Sequence, residues 1–567
     1  MLLRKFAFAT LLTFTLVLTG CSKPADEATV ALGATAEILR QPAVAMPDTY
    51  GAQVSEQILR AGGNAVDAAI AAGFALAVTF PEAGNIGGGG FMLIHMNGED
   101  SFVDYREKAP LAAERDMYLD ENGDVIEGAS LIGHLSVGVP GTVAGFSEAH
   151  RKYGTMPWRD LVMPAVKLAD EGFVVPDKLG GGMLSTLEQY EGKTNFGKYF
   201  GKLNSGENFR QPELAATLQR IADNGADGFY KGETANLIVA EMARGDGLIT
   251  LEDLAAYDAK WREPLRGDWR GYQVVSAPPP SSGGFALIQL LKIKDYTEHF
   301  FADVPHNSAQ YIHLVAEIEK RVFADRAQYL GDPDFVDNRI DELISDEYIR
   351  SRAREINPDG ISQNVGAGVG LDTHDTTHYS VLDKWGNAVS NTYTLNLGFG
   401  SGVVVEGAGF LLNDEMDDFS VKPGVPNAYG VIGNEANEIQ PQKRMLSSMT
   451  PTILLKDGKV VMVVGTPGGS TIFTSVFQTI VNVIDFGMSP LDATDAARFH
   501  HQLLPPNVIM YGPSRPLPPD VASELQDRGY TLTAIWDFGD MQVIYDDGKT
   551  VQAASDPRHR GESRVIN

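Results

Sequence analysis

Thr376 is the residue whose place in the sequence most directly indicates a nucleophile. It follows a segment rich in Gly, Asn and Asp, residues 357–375, and it precedes an alternating run, residues 377–382, that predicts a β-strand. If the bond after Asp375 were cut, the freed α-amine, with a pKa of about 7.7–8.0, could take the proton of the Thr376 hydroxyl. Thr376 could make this cut itself by attacking the carbonyl of Asp375. By themselves, two adjacent threonines are more typical of an ordinary strand, because β-branched residues favour strands.

Eight motifs, one of which begins at Thr376, occur in order along the chain and strengthen the interpretation of Thr376 as a nucleophile. Each is weak alone, but their order and spacing are specific. They lie at residues 85–91, 104–110, 278–284, 376–381, 392–396, 412–420, 446–449 and 465–470. With these motifs the chain resembles the γ-glutamyltranspeptidase (glutathione hydrolase) family, and the resemblance extends from about residue 41 to the C-terminus.

The resemblance implies a fold and a reaction. The fold would be an α+β N-terminal-nucleophile hydrolase, a four-layer αββα sandwich with two antiparallel sheets between helix layers. Cleavage between Asp375 and Thr376 would give a heavy subunit, residues 41–375, and a light subunit, residues 376–567, intertwined in one catalytic domain. The γ-glutamyl group of glutathione or a similar compound would form an ester with Thr376 and pass to water, an amino acid or a dipeptide. No cofactor and no metal are implied, and the partners would be small molecules.

The resemblance also implies roles for individual residues. Thr394 would orient the nucleophile, and the backbone N–H groups of Gly468 and Gly469 would form the oxyanion hole. Arg106 would hold the α-carboxylate of the substrate, because a guanidinium pairs well with a carboxylate. Carboxylate and ammonium sites would lie on opposite sides of the nucleophile. The other implied substrate-binding residues are Ser447 and Ser448 for the carboxylate, and Asn396, Glu415 and Asp418 for the ammonium group.

Residues 421–435 resemble the lid of glutathione-cleaving members of the family, with Tyr429 as the aromatic residue of the lid. This segment favours γ-glutamyl substrates over the cephalosporin-type side chains that some lid-less acylases prefer. Outside the family context, the same residues have ordinary interpretations. Arg106 could form a surface ion pair with Glu107, and the acidic pair at 417–418 could be a solvated turn.

The elements that must position these residues follow from the spacing of hydrophobic residues. Residues 50–80 have helical spacing, and the glycine run at 85–90 opens a strand at 91–95. A nucleotide-binding glycine loop has the opposite order, since it follows a strand and opens a helix. Residues 140–350 are predicted to be mostly helical. Beyond residue 376 no β-α-β repeat is present, which favours antiparallel sheets; the predicted elements are strands at 377–382 and 388–395, a strand pair around 456–459, helices at 471–486 and 489–498, and a turn at 546–549.

The N-terminus has the pattern of an export signal. Arg4 and Lys5 precede an apolar run, residues 6–18, that is short for a membrane span. The run ends in Leu-Thr-Gly-Cys, which resembles a bacterial lipobox. We therefore expect a signal peptide at 1–20, lipidation of Cys21, a tether at 21–40 and a periplasmic protein anchored through Cys21. A secretory signal with a chance cysteine is the alternative.

Charge and cysteine content restrict the possible functions. The net charge of −28 disfavours binding to nucleic acids, whose phosphates would be repelled. Cys21 is the single cysteine, so stability must come from a core and not from disulfides within the chain. His374 and His378 are four residues apart, but in a predicted loop and strand this spacing does not favour a metal site, and His378 is predicted to be structural. Two rival functions remain: an acylase with the same machinery and another acyl group, and an uncleaved amino-acid-binding lipoprotein.

Overall fold

The computed structural model describes residues 40–363, 376–422, 425 and 435–567. Three residues singled out from the sequence, Cys21, Asp375 and Tyr429, lie outside these ranges, as do His374 and the predicted signal peptide. The predictions made for them remain predictions.

Two antiparallel sheets form the centre of the fold. The first has seven strands in the spatial order β18 (Glu562–Val565), β1 (Ala43–Met46), β9 (Thr376–Leu382), β10 (Ala388–Thr394), β2 (Gly89–Met96), β3 (Glu99–Asp104) and β6 (Lys260–Arg262). The second has six, in the order β17 (Val551–Ser555), β16 (Gln542–Asp546), β12 (Lys459–Gly465), β11 (Thr452–Lys456), β8 (Tyr272–Ser276) and β7 (Leu265–Trp269). Two small sheets join β4 (Phe173–Val174) with β5 (Asn208–Phe209), and β13 (Phe499–His500), β14 (Val508–Tyr511) and β15 (Thr531–Ala534).

Helices cover the outer face of each sheet. Those that share a core with the first sheet are α1 (Thr49–Arg60), α2 (Ala65–Thr79), α3 (Thr142–Tyr153), α4 (Trp158–Glu171), α5 (Asp177–Gly180), α6 (Met183–Tyr190), α7 (Phe196–Phe200), α8 (Pro212–Asn224), α9 (Asp227–Tyr230), α10 (Gly232–Met242) and α11 (Leu251–Ala256). Those that share a core with the second sheet are α12 (Gly283–Tyr296), α13 (Ala309–Tyr329), α14 (Ile340–Leu343), α15 (Asp346–Arg354), α16 (Ile472–Ile484), α17 (Pro490–Asp495) and α18 (Pro519–Asp527).

The alternation of side chains along the strands explains the layers. In β2, Phe91 and Leu93 pack between the two sheets, while Met92 and Ile94 face the helices. Successive strand residues point to opposite faces, so a strand that is apolar on both faces must be covered on both. The predicted four-layer αββα sandwich is confirmed.

Helix α2 lies inside the first helix layer. All of its residues are buried, and Asn64 and Asp67 close its N-terminus with a reciprocal capping box. A helix that is apolar on every side must be covered on every side, and α2 lies within the segment, residues 50–80, for which helical spacing was predicted. In the part of the chain that the structure describes, no helix is both long and apolar enough to cross a bilayer.

The segments on either side of residue 376 share both sheets. Strands β9 and β10 lie between β1 and β2 of the earlier segment, and β11 pairs with β8. Cutting the chain before Thr376 would leave these ladders of hydrogen bonds intact. Two subunits produced by such a cut would therefore stay together.

The prediction of mostly helical structure over 140–350 is wrong for β6, β7 and β8. Strands β6 and β7 are edge strands of the first and second sheets, and β8 lies between β7 and β11. Residues such as Arg266 and Asp268 in β7 alternate with half-buried or buried ones, and five-residue strands give a weak periodic signal. Strands β7 and β8 form a hairpin, and pairing of β8 with β11, across about 180 residues of sequence, stabilises it. The prediction for 489–498 also ran too far, since α17 ends at Asp495.

Candidate active site

Thr376 is the first residue of β9 and lies directly opposite Thr394 of β10. Both side chains are buried, with exposed fractions of 5% and 2%. Opposite residues of an antiparallel pair have Cβ atoms about 4.5–5.5 Å apart, so the two threonine side chains lie next to each other on one face of the sheet. The backbone N–H of Asn396 donates a 2.8 Å hydrogen bond to Thr394 Oγ1. The register therefore brings Thr394 to the position from which it can orient Thr376.

The glycine run before β2 packs against the strand end that carries Thr394. A Cβ on Gly88 would lie 2.1 Å from the carbonyl oxygen of Thr394, so only glycine fits there. Asn85 Nδ2 donates to the same carbonyl at 2.8 Å, and its Oδ1 accepts from the N–H of Gly88 at 3.0 Å. The glycine run thus brings its backbone into contact with the end of β10 and holds Thr394 in place.

Arg106 follows β3 and is buried at the centre of an ion cluster. One terminal nitrogen pairs with Glu415 and the other with Asp418. The guanidinium also donates to the carbonyl oxygens of Met445 and Leu446, each at 3.3 Å. Burial alone would lower the pKa of Arg106, but Glu415 and Asp418 raise it above its ordinary value. The guanidinium therefore stays charged.

This geometry differs from the expected separation of cation and anions. The sequence-based assignment placed Arg106 opposite the ammonium-binding acids, yet Arg106 pairs directly with two of those acids, Glu415 and Asp418. About 310 residues separate these partners in the chain. Their contact depends on how β3 and the turn at 415–418 meet, which the sequence pattern does not reveal.

The serine pair is held by the loop at 278–284. Ser447 donates its N–H to the carbonyl of Pro280, and its own carbonyl accepts from the N–H of Ser282, both at 2.8 Å. Ser447 is buried, and Ser448 is half-buried. The proline- and serine-rich loop thus holds the backbone of Ser447, and with it the position of the serine pair, through two backbone hydrogen bonds.

Gly468 and Gly469 lie between the end of β12 and the start of α16. Their φ angles are +132° and +53°, a region that favours glycine. A Cβ on Gly468 would lie 2.5 Å from Thr471 Oγ1. The N-terminus of α16 has partial positive charge, and backbone N–H groups there suit a developing oxyanion.

One cavity collects most of the residues predicted for the site. Asn396 and Gly468 adjoin its lining residues, with the carboxamide of Asn396 donating to the carbonyl of Asp414 at 3.0 Å. The predicted residues that line the cavity are Arg106, Thr376, Thr394, Glu415, Asp418, Ser447, Ser448 and Gly469. Sequence reasoning missed three lining residues, Arg326, Met449 and Ile472. Only Arg326 gave a sequence signal, as an arginine among the apolar positions of α13.

His378 lies two residues after Thr376, on the same face of β9. Its ring nitrogens contact Thr392 Oγ1 at 2.8 Å and Ser380 Oγ at 3.2 Å. Burial lowers its pKa to about 3, so the ring is neutral at pH 7. These contacts agree with a structural role. Among the described residues, no group of three or more His, Cys, Asp or Glu side chains is arranged to hold a metal ion.

Glu107 should make stability depend on pH. Burial raises its pKa from 4.5 to about 8, although the charge of Arg106 opposes the shift. Neither carboxyl oxygen accepts a hydrogen bond from another described residue. The folded state thus keeps a proton that the unfolded chain loses. The contribution of protonated Glu107 to the free energy of unfolding is complete below about pH 4.5 and is lost as pH rises to about 8.

Glu107→Gln should remove this component. The difference in unfolding free energy, variant minus wild type, should increase across pH 5–8 by up to about 1.4 kcal/mol per pH unit and level off above. Denaturant unfolding at five pH values measures it, with the exposed Glu99→Gln as control. A difference that does not change with pH would contradict the assignment.

Gly468→Ala should lower kcat about 10²- to 10³-fold, the effect typical of damage to an oxyanion hole. The added Cβ would clash with Thr471 and shift the backbone N–H groups. Gly458, in the turn between β11 and β12, is the matched control, because its φ is +71° and nothing lies within 4 Å of an added Cβ. Gly458→Ala should destabilise by about 1 kcal/mol and keep kcat. Equal kcat values for both variants would argue against the oxyanion role.

Two stacked antiparallel sheets between helices, with a threonine opening a central strand beside a helix N-terminus, define an N-terminal-nucleophile hydrolase. The chain belongs to the γ-glutamyltranspeptidase family: the family model described as Gamma-glutamyltranspeptidase matches residues 51–566. The resemblance inferred from the motifs is confirmed.

Known proteins agree with this assignment. The chain is 58% identical over 525 residues to a glutathione hydrolase proenzyme of Pseudomonas aeruginosa (strain PAO1), covering 92% of this chain and 94% of the relative. It is 46% identical over 573 residues to that of Escherichia coli (strain K12), covering 98% and 97%.

Two solved structures extend the comparison. A cephalosporin acylase from Bacillus halodurans superimposes with a TM-score of 0.81 at 28% identity, covering 93% of this chain and 96% of that one. A γ-glutamyltranspeptidase from Pseudomonas nitroreducens complexed with L-DON has a TM-score of 0.55 at 56% identity, covering 56% of this chain and 95% of that one.

Proposed function

We propose that this chain cleaves itself between Asp375 and Thr376 and then acts as a γ-glutamyltransferase and glutathione hydrolase. The observation that carries the proposal is the shared cavity, in which Thr376 lies with a buried cation, Arg106, and a partly buried anion, Asp418. The names of the Pseudomonas aeruginosa and Escherichia coli relatives, both glutathione hydrolase proenzymes, support it.

The proposed chemistry has two halves. In the first, Thr376 Oγ forms an ester with the γ-carbonyl carbon, its proton passes to the freed α-amine, and the leaving amine of cysteinylglycine takes that proton. The backbone N–H groups of Gly468 and Gly469 stabilise the oxyanion. In the second half, water or an acceptor amine attacks the ester and Thr376 recovers its proton. Water yields glutamate, and an amino acid yields a new γ-glutamyl amide.

The ion cluster favours a zwitterionic head group. When the substrate enters, its α-carboxylate can replace Asp418 on Arg106, and its α-ammonium can take Asp418 as partner. Every buried charge then keeps a counter-charge, as burial requires. A glutaryl group, which lacks the ammonium, would displace Asp418 from Arg106 and offer it no ammonium in return. This argument separates the proposed activity from that of a glutaryl-type acylase.

The remaining parts of the proposal concern maturation and location. The heavy subunit would be residues 41–375 and the light subunit residues 376–567, held together by their shared sheets. Tyr429 would belong to a lid over the γ-glutamyl site. Removal of residues 1–20 and lipidation of Cys21 would tether the protein in the periplasm through residues 21–40, where it could scavenge glutathione.

Intact-mass measurement with steady-state kinetics tests the proposal. We expect two fragments, the smaller beginning at Thr376. The kcat/KM should be at least about 100-fold higher for γ-glutamyl-p-nitroanilide than for glutaryl-p-nitroanilide, since loss of the ammonium–carboxylate ion pair costs about 3 kcal/mol. A single uncut chain that binds amino acids without turnover would favour the binding-lipoprotein alternative. Cleavage with a preference for the glutaryl substrate would favour the acylase alternative.

A further inference from the structure

Arg326 is a second buried guanidinium in the cavity. It lies on α13, is 7% exposed, and lines the same cavity as Thr376. Its Nε donates to Ser282 Oγ at 2.8 Å, and its Nη2 donates to Ser448 Oγ at 3.0 Å. Helix α13 thus reaches the serine pair from the side of the second helix layer.

The direction of these hydrogen bonds determines what the serines offer to a ligand. A guanidinium has only donors, so Ser448 Oγ must accept from Arg326, and the proton of Ser448 is left to donate elsewhere. Ser282 accepts from Arg326 and donates to the carbonyl of Ser447 at 2.8 Å. Ser447 Oγ in turn accepts from the N–H of Met449 at 3.1 Å. Both hydroxyl groups of the pair are therefore arranged as donors, which suits an anionic ligand.

Arg326 also differs from Arg106 in its charge balance. Arg106 pairs with Glu415 and Asp418, whereas within the described residues no carboxylate lies within ion-pair distance of Arg326. Burial lowers the pKa of Arg326 to about 10, with the charge of Asp418 opposing the shift. At neutral pH the residue remains protonated, and its positive charge is less neutralised than that of Arg106.

We propose that Arg326 is a positioning residue for the α-carboxylate of the substrate. It holds Ser448 with its proton directed at the carboxylate, and it adds positive charge that Arg106, shared between two acids, supplies only in part. Ser282, which accepts a hydrogen bond from Arg326, in turn donates one to the backbone carbonyl of Ser447 and so helps to position that residue. The proposal rests on the γ-glutamyl activity proposed above and adds a residue from α13 to its specificity.

The test compares two substrates that differ in the α-carboxylate. Arg326→Gln should lower kcat/KM for γ-glutamyl-p-nitroanilide about 10- to 100-fold, mainly through KM, as expected for loss of charge-assisted hydrogen bonding. The value for 4-aminobutyryl-p-nitroanilide, which lacks the α-carboxylate, should change less than about threefold. Arg326→Lys, which keeps the charge, should recover part of the loss.

Arg321→Gln is the matched control on the same helix. Arg321 is also buried and donates hydrogen bonds to the carboxylate of Glu317 and to the carbonyl of Glu355, but it does not line the cavity. Measured on the cleaved fraction, this variant should leave the ratio of the two substrates unchanged. An Arg326→Gln variant that loses both activities equally would show a merely structural role and overturn the proposal.

A double-mutant cycle tests the route through Ser448. Arg326→Gln combined with Ser448→Ala should lose little more than the larger single effect, because both remove the same interaction. Losses that multiply would overturn this route. Should Arg326→Gln fail to fold, Arg326→Lys and Ser282→Ala carry the same substrate comparison. Failure of the underlying activity is visible separately, as a wild-type protein that is uncut or inert toward γ-glutamyl-p-nitroanilide.

Discussion

Thr376→Ala should yield a single uncut chain with no measurable turnover. The substitution removes the hydroxyl that attacks the preceding peptide bond, and so also prevents release of the α-amine that serves as base. Loss of a nucleophile lowers kcat by at least about 10⁴-fold in related chemistries. Intact-mass spectrometry and release of p-nitroaniline measure the two losses in one preparation.

Thr377 provides the matched control for this prediction. It is the next residue of β9, is fully buried, and its hydroxyl has no hydrogen-bond partner among the described residues. Thr377→Val keeps the shape and removes only the unpaired hydroxyl, so the variant should be cleaved and turn over like wild type. Cleavage of the Thr376→Ala chain at residue 375 would show that another group performs the cut and would refute self-processing.

Arg106→Gln should combine a loss of stability with a loss of substrate binding. It leaves Glu415 and Asp418 without their shared cation, and breaking a buried pair costs about 3–5 kcal/mol. The substrate carboxylate also loses its main partner, so kcat/KM for γ-glutamyl-p-nitroanilide should fall about 10²- to 10³-fold, mostly through KM. Thermal unfolding and kinetics on the cleaved fraction measure the two effects.

The pH dependence of this variant separates its electrostatic cause from a packing defect. Burial raises the pKa of Glu415 and Asp418 even with Arg106 present. At low pH their protonated forms need no cation, so the stability deficit of Arg106→Gln should shrink as pH falls. Arg321→Gln is again the control: it should destabilise the fold and keep KM. A deficit in Arg106→Gln that is constant with pH would point to packing.

The sequence by itself determined the family, and it predicted the candidate nucleophile and most of the residues that line the cavity with it. Motifs preserve residue types in order, and the strand alternation before and after the turn at 383–387 predicted β9 and β10, which place Thr376 opposite Thr394. The same alternation, with no β-α-β repeat, indicated stacked antiparallel sheets. These are local properties, since neighbouring residues on one strand or hairpin decide them.

The tertiary structure decided the contacts between distant segments. No sequence pattern indicates that Arg106 pairs directly with Glu415 and Asp418, because about 310 residues separate them and only the meeting of β3 with a later turn brings them together. The place of Arg326 in the cavity also depends on tertiary contacts, because the packing of α13 brings it to the serine pair. The hairpin β7–β8 was missed because its short strands are stabilised by the sheet they join. Side-chain types follow from local sequence, whereas charge partners and hydrogen-bond direction depend on which surfaces the fold buries together.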